Sequence, residues 1–313
     1  MTRVGAVDCG TNSIRLLVAD VDPGGGLTEV TRTLRIVRLG RGVDATGAIA
    51  ADSMAATLAV AAEYAASCRE LGCSSVRFVA TSATRDASNA EEFTAGVAQV
   101  FAGFGVRPEV VSGQEEAELS FTGATGDLRR AGAPAPYLVV DIGGGSTELV
   151  RGTDRAEQAA SVDIGCVRLA ERYLHDDPPV EDQVWGALGD IVVALDRAGE
   201  SVDLAGTRTL VGLAGSVTTV TAHALGLREY DRARIHGAEV DIDDAIAACN
   251  DLIHRDRAQR AALGFMHPGR VDVIGAGALV WRTVMQRLQH DAGLRTVRTS
   301  ETDILDGIAL SQA

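Results

Sequence analysis

The stretch Tyr137-Leu138-Val139-Val140-Asp141-Ile142-Gly143-Gly144-Gly145-Ser146-Thr147-Glu148-Leu149-Val150 is an apolar run that ends in an acid, turns through three glycines and becomes apolar again. Its alternation and length predict two short strands joined by a tight turn, with Asp141 ending the first and Glu148 early in the second. Glycines at such a turn let successive backbone N–H groups converge on one point, an arrangement that binds phosphate oxygens. One such loop is equally well explained as an ordinary hairpin turn. A second copy is not: Asp8-Cys9-Gly10-Thr11-Asn12-Ser13 follows the apolar run Val4-Gly5-Ala6-Val7 and aligns with Asp141-Ile142-Gly143-Gly144-Gly145-Ser146.

Working outward, each loop is followed by another strand and then a third, ending in Arg38-Leu39-Gly40 in one half and Ser161-Val162-Asp163-Ile164-Gly165 in the other. In the first half, strands are expected over residues 4–7, 15–21 and 29–38, with Asp22-Pro23-Gly24-Gly25-Gly26 as a plain turn. Helical periodicity follows in both halves, over residues 53–71 and 180–198, and strands return over 76–81, 109–111 and 210–213. The pattern is that of a duplicated α/β unit, hence two lobes. A polar, breaker-rich connection between Thr125 and Pro136 marks the boundary, and the division is drawn as 1–127 for lobe I and 128–299 for lobe II.

Composition excludes several partner classes. The 313 residues carry 43 Asp+Glu against 29 Lys+Arg, a formal charge of −14, which disfavours duplex nucleic acid and anionic membrane. Every basic residue is an arginine, so a P-loop lysine, a Schiff-base lysine and a lysine base are excluded, whereas arginine forks suit phosphate. The cysteines Cys9, Cys68, Cys73, Cys166 and Cys249 show no C-x-x-C pairing and are read as small thiols of a reducing compartment. Without a leader-like basic and apolar N-terminus or a membrane-length apolar run, a cytoplasmic protein is expected.

Three further loops end strands. In Thr81-Ser82-Ala83-Thr84-Arg85-Asp86-Ala87-Ser88-Asn89, Arg85 is a candidate phosphate clamp and Ser88 or Asn89 a helix cap. In Ser112-Gly113-Gln114-Glu115-Glu116-Ala117, the S-x-x-E spacing makes Glu115 the partner in a capping box. Glu116 is left with two readings, opposing the helix dipole or taking a proton from an attacking water. Gly212-Leu213-Ala214-Gly215-Ser216-Val217-Thr218-Thr219 runs through glycines into a hydroxyl-capped helix start suited to anions. Met266-His267-Pro268-Gly269-Arg270-Val271-Asp272 adds Arg270 as a second clamp, or is a structural turn. Asp141 and Glu148, as spaced carboxylates, suit Mg²⁺ with part of its water shell.

Taken in order, these segments resemble the exopolyphosphatase/guanosine pentaphosphate phosphohydrolase family, a branch of the sugar kinase–Hsp70–actin superfamily, from Asp8–Ser13 to Ser300-Glu301-Thr302-Asp303-Ile304-Leu305-Asp306-Gly307. The resemblance implies an actin-like fold of two ribonuclease-H-like lobes around an interlobe cleft, with the C-terminal helix, residues 300–313, returning to lobe I. It implies that Glu116 is the catalytic base, and that Asp141, Glu148 and Asp8 are the acids associated with metal, Mg²⁺ or Mn²⁺. By the same likeness Asn12, Ser13, Arg85, Gly143, Gly144, Gly145 and Ser146 contact phosphate, with Gly215, Ser216 and Arg270 added from the later loops. The implied activity is hydrolysis of the terminal phosphoanhydride of inorganic polyphosphate, guanosine pentaphosphate being the other substrate, by a homodimer. Longer relatives carry a further helical module that does not follow Ala313, so short chains are expected. A kinase of the same superfamily, which would need an acceptor, and a sensor of polyphosphate or guanosine alarmones, which would bind without turnover, are the rival readings.

Overall fold

The computed structural model describes residues 1–22 and 26–313; the turn read over 22–26 therefore falls partly outside the described residues. The chain forms two compact units, one of residues 1–123 with 304–313 and one of residues 124–303. In the first, β1 (Thr2–Cys9), β2 (Ser13–Val21), β3 (Leu27–Ile36), β4 (Ser75–Ala80) and β5 (Glu109–Val110) form one sheet in the order β3-β2-β1-β4-β5. In the second, β6 (Tyr137–Ile142), β7 (Thr147–Gly152), β8 (Ala156–Val162), β9 (Thr209–Leu213), β10 (Glu239–Asp241) and β11 (Thr296–Thr299) take the order β10-β11-β9-β6-β7-β8.

Each unit thus starts with an antiparallel three-strand meander and adds parallel strands on the side of its first strand, β4 beside β1 and β9 beside β6. The five-strand order occurring twice, with β10 added antiparallel at the edge of the second sheet, is the duplicated α/β plan expected from the sequence pattern and the actin-like fold implied by the resemblance. Parallel strands need crossovers, which helices supply, and all six residues of β6 are buried, as a central strand covered on both faces requires.

Strand alternation sorts the first unit's core. Val7 and Cys9 with Ile14, Leu16 and Val18 face the helix Ala51–Glu70 through Ala61, Tyr64, Ala65 and Cys68. The intervening Val4, Ala6, Leu17, Ala19 and Val21 face the helix Ile304–Leu310 through Ile304, Leu305, Ile308 and Ala309. Gly307 permits that docking, since a Cβ there would overlap the Leu119 backbone. The second unit's core gathers β6 with the helices Glu181–Gly199, Ile242–His254 and Ile274–Asp291 around Trp281, 1% exposed. Each fully buried aliphatic side chain of these cores stabilises by about 1.5–3 kcal/mol.

Predicted elements recur with shifted ends: β1 extends through Asp8 to Cys9, and the short helix Ser82–Arg85 precedes Ala90–Val100. Asn89 occupies the N-cap position of the latter helix, but its side chain binds the N–H (2.9 Å) and carbonyl (3.0 Å) of Ile49 instead of capping. A distant backbone with both a donor and an acceptor offers an amide more than a helix end does. No helix among the described residues is long and apolar enough to cross a membrane.

Candidate active site

In the first unit, the β1–β2 turn is closed by the Gly10 N–H donating to the Ser13 carbonyl at 2.9 Å. Its other carbonyls are taken from the chain after β3: Thr11 accepts from Gly40 at 2.9 Å, and Asn12 from Val37 and Arg38 at 3.1 and 3.0 Å. Gly40 is required there, because a Cβ would overlap the Thr11 methyl. Asn12 and Ser13 are half-buried at the tip. Asp8, 5% exposed, lies opposite Arg15 in the ladder, and its Oδ2 accepts from Arg15 Nε and Nη2 at 2.9 and 2.7 Å.

The loops after β4 and β5 join this turn through a chain of contacts. The Thr11 and Ser82 hydroxyls are 3.0 Å apart, and Arg85 Nη1 donates to the Val111 carbonyl at 3.0 Å and to Glu116 Oε2 at 3.2 Å. The helix Gly113–Arg130 begins beside them. The Ser112 hydroxyl accepts the Glu115 N–H at 3.2 Å as expected, but the Glu115 carboxylate does not complete a capping box: Oε1 accepts from Arg77 at 3.0 Å. Arg77 also holds Glu109, and a charge-assisted bond to a guanidinium outweighs a neutral backbone donor. The two glutamates are thereby separated: Glu115 faces Arg77 with a side chain 45% exposed, while Glu116 is 8% exposed beside Arg85.

In the second unit, the β6–β7 turn repeats the same closure, Gly143 N–H to Ser146 carbonyl at 3.0 Å. Its carbonyls serve the helix Cys166–Tyr173: Gly143 accepts from Cys166 (3.0 Å), Gly144 from Val167 (2.9 Å) and Arg168 (3.1 Å), and Gly145 from Arg168 Nε (2.7 Å). A helix start leaves its first N–H groups without intrahelical partners, and these carbonyls satisfy them. With the carbonyls so directed, the N–H groups of Gly144 and Gly145 make no hydrogen bond among the described residues, as a phosphate nest requires. Gly165 corresponds to Gly40: a Cβ on it would overlap the Gly144 backbone. Asp141, 7% exposed, lies directly opposite Glu148, 1% exposed, and Glu148 Oε1 accepts the Ser161 hydroxyl at 2.8 Å.

The β9 loop enters the helix Ala214–Ala224 without the expected hydroxyl cap, Leu213 being the N-cap residue. Ala214 holds φ at +65°, a left-handed value for a residue with a Cβ, which costs on the order of 1 kcal/mol. The turn brings Gly215 against Arg270, whose guanidinium lies where a Cβ of Gly215 would project. Arg270 Nη1 donates to Thr219 Oγ1 at 3.4 Å, and Ser216 abuts Gly277 so closely that a Cβ on that glycine would overlap its hydroxyl. The Arg270 turn is pinned by His267, which accepts the Gly269 N–H on Nδ1 at 3.1 Å; burial, with Arg270 beside it, holds the imidazole below its ordinary pKa.

The predicted residues thus fall into two sets: Asp8, Asn12, Ser13, Arg85 and Glu116 in the first unit, and Asp141, Gly143, Gly144, Gly145, Ser146, Glu148, Gly215, Ser216 and Arg270 in the second. Sequence reasoning missed Arg15 and Ser161, which hold Asp8 and Glu148, and Arg77, which draws Glu115 away. It also missed Tyr230, whose hydroxyl donates to Glu301 near Arg270; burial pushes both of their pKa values up. The signal for Arg15 was present, since a hairpin closed between Gly10 and Ser13 places Arg15 opposite Asp8.

Residues 17–312 match the model of the Ppx/GppA phosphatase family. The chain is 50% identical over 318 residues to exopolyphosphatase 2 of Mycobacterium tuberculosis, covering 100% of this chain and 99% of that one. Among solved structures it is similar to an exopolyphosphatase-like protein at 43% identity and TM-score 0.94, covering 99% and 98% of the two chains. It is also similar to the Aquifex aeolicus PPX-GPPA enzyme at 27% identity and TM-score 0.80, covering 99% of both chains. With two glycine turns of one design, a buried glutamate beside an arginine and a match over nearly its whole length, the chain belongs to the Ppx/GppA phosphatase family.

Proposed function

We propose that this protein is an exopolyphosphatase that removes the terminal phosphate of inorganic polyphosphate, short chains foremost, by attack of water with Mg²⁺ as the working ion and Mn²⁺ as its substitute. The observation that carries this reading is the cross-strand pair Asp141–Glu148 beside the Gly143–Ser146 turn. Two carboxylates directly opposite in a ladder repel, and a divalent cation relieves the repulsion. Both donors are hard oxygens, as Mg²⁺ prefers, and no group of three or more His, Cys, Asp or Glu side chains suited to a metal occurs among the described residues. An ion held by this pair keeps coordination positions for water and phosphate oxygens. When bound, it neutralises charge on the phosphoryl group.

The protein's own groups supply the rest. In the second unit the Gly144 and Gly145 N–H groups and Ser146 bind non-bridging oxygens, and Arg270, against Gly215, adds a fork of donors; in the first unit Asn12 and Ser13 of the matching turn are phosphate contacts on the same reading. Glu116 accepts the proton of the attacking water, and Arg85 orients its carboxylate. Asp8, oriented by Arg15, is a secondary acidic group. Such positioning and charge neutralisation dominate phosphoryl transfer. A homodimer belongs to the same reading, and light scattering tests it.

The deciding experiment offers triphosphate, long polyphosphate and guanosine pentaphosphate in parallel with Mg²⁺ and follows released phosphate. Fastest release from triphosphate, with no acceptor present, is expected. Binding without turnover in both Mg²⁺ and Mn²⁺, or phosphate transfer only when an acceptor is added, would overturn the proposal.

A further inference from the structure

The helix Ala51–Glu70 ends in a turn where Gly72 takes φ +73°. The Gly72 N–H donates to the Arg69 carbonyl at 3.2 Å and the Cys73 N–H to the Cys68 carbonyl at 2.9 Å. This pair of bonds defines a Schellman turn, which brings together the side chains of the residue just past the left-handed position and of the helical residue five places earlier. That contact is ordinarily between two apolar side chains. Here both are cysteines, both free, and the turn sets their side chains side by side.

Their surroundings differ. Cys68 is fully buried, its sulfur so close to β1 that a Cβ on Gly5 would lie 2.8 Å away. Cys73 is half-buried beside Arg3, which braces the same turn by donating to the Leu71 carbonyl at 3.1 Å and pairs with Asp20 at 2.9 Å. The neighbouring Cys68 thiol, assisted by Arg3, holds the Cys73 thiol below its ordinary pKa, whereas Cys68 is pushed up by Cys73 beside it and by burial. A partly accessible thiol that ionises more readily than usual, with a second thiol set beside it by a Schellman turn, is the arrangement of a peroxide-reactive pair. Cys9, Cys166 and Cys249 are buried, and burial pushes each thiol up.

We propose that Cys68 and Cys73 are an oxidative modification site, closing to a reversible intrachain disulfide under hydrogen peroxide. The Cys73 thiolate attacks one peroxide oxygen and the O–O bond breaks. Cys73 becomes a sulfenic acid, and the departing hydroxide takes a proton to give water. The Cys68 sulfur then attacks the Cys73 sulfur, the S–O bond breaks, and the hydroxide released combines with the Cys68 proton as a second water. The two sulfurs lose two electrons and the peroxide gains them. Closure stops Cys73 short of the irreversible sulfinic acid, and a thiol reductant restores both groups.

The test treats the full-length protein with hydrogen peroxide, blocks remaining thiols and digests with trypsin without reduction. Cleavage after Arg41, Arg69 and Arg77 separates the two cysteines, so the expected product is a linked pair of peptides, residues 42–69 and 70–77, lighter than their sum by two hydrogens and parted by reductant. Three of the five thiols should remain titratable after unfolding. Cys68→Ser should stop at a Cys73 sulfenic acid that a dimedone-type probe captures, and Cys73→Ser should keep a titratable Cys68. The proposal is overturned if Cys73 passes to sulfinic acid without the linked pair, if it links to another cysteine, or if all five thiols survive a dose that oxidises free glutathione.

Discussion

The two hairpins that carry the glycine turns share a backbone plan and differ in one cross-strand pair. Both turns close on the same bond, Gly10 to Ser13 and Gly143 to Ser146, and both are approached by a glycine after the third strand, Gly40 and Gly165. In the first, the acid that ends the strand faces an arginine, Asp8 against Arg15; in the second it faces another acid, Asp141 against Glu148. The first hairpin therefore pairs its acid with a base, whereas the second sets two carboxyl groups opposite each other, the pair proposed above to take a cation. A duplicated scaffold has been divided into an acid paired with an arginine and an acid paired with an acid by what stands opposite one aspartate.

The comparison is broken most directly by giving the second hairpin the charge pair of the first. Glu148→Arg is expected to reduce metal-dependent phosphate release by a factor on the order of 10³ or more, since the ion is worth several kcal/mol to the transition state. Release that still responds to Mg²⁺ titration in this variant would sink the assignment of metal to that pair. Glu116→Gln keeps the hydrogen bond from Arg85 and removes the base, so kcat should fall by about 10²–10⁴ with an unchanged melting curve. Unaltered turnover would remove Glu116 from the mechanism.

Two stability measurements in metal-free buffer sharpen the contrast. Arg15→Gln strips the cation from a nearly buried Asp8, and chemical denaturation should show a loss of about 3 kcal/mol. Glu148→Gln relieves a like-charge pair, so the same experiment should show a gain of about 0.5 kcal/mol, with the stabilisation by added Mg²⁺ lost. Shifts of the same sign in both would show that the hairpins do not differ as argued. Gly215→Ala displaces the Arg270 guanidinium from its seat. It should raise KM for triphosphate roughly tenfold, about the weight of one charge-assisted bond, while Gly277→Ala, which moves Ser216 instead, offers a separate comparison.

Much of the fold could be read from the chain because its signals are local. Asp8-Cys9-Gly10 and Asp141-Ile142-Gly143 announce their turns through an apolar run meeting glycine, and the long helix of the first unit follows from its spacing of small apolar residues. The loop after β5 was legible only in part. The Ser112 cap was predictable, but the separation of Glu115 from Glu116 depends on Arg77 and Arg85, which reach them from 38 and 31 residues away. Asn89 misled for the same reason, its side chain being taken by Ile49, 40 residues distant. The cysteine pair was invisible as a motif, because what joins Cys68 to Cys73 is the left-handed Gly72 between them.

By itself the sequence determined the duplicated α/β plan, the two glycine turns and the residue types that handle phosphate, since periodicity and backbone freedom are properties of neighbouring residues. Only the tertiary structure decided which glutamate is buried beside Arg85, which is drawn to Arg77, and where Arg270 lies. Those outcomes depend on side chains brought together from positions 31 to 55 residues apart, which no local pattern encodes.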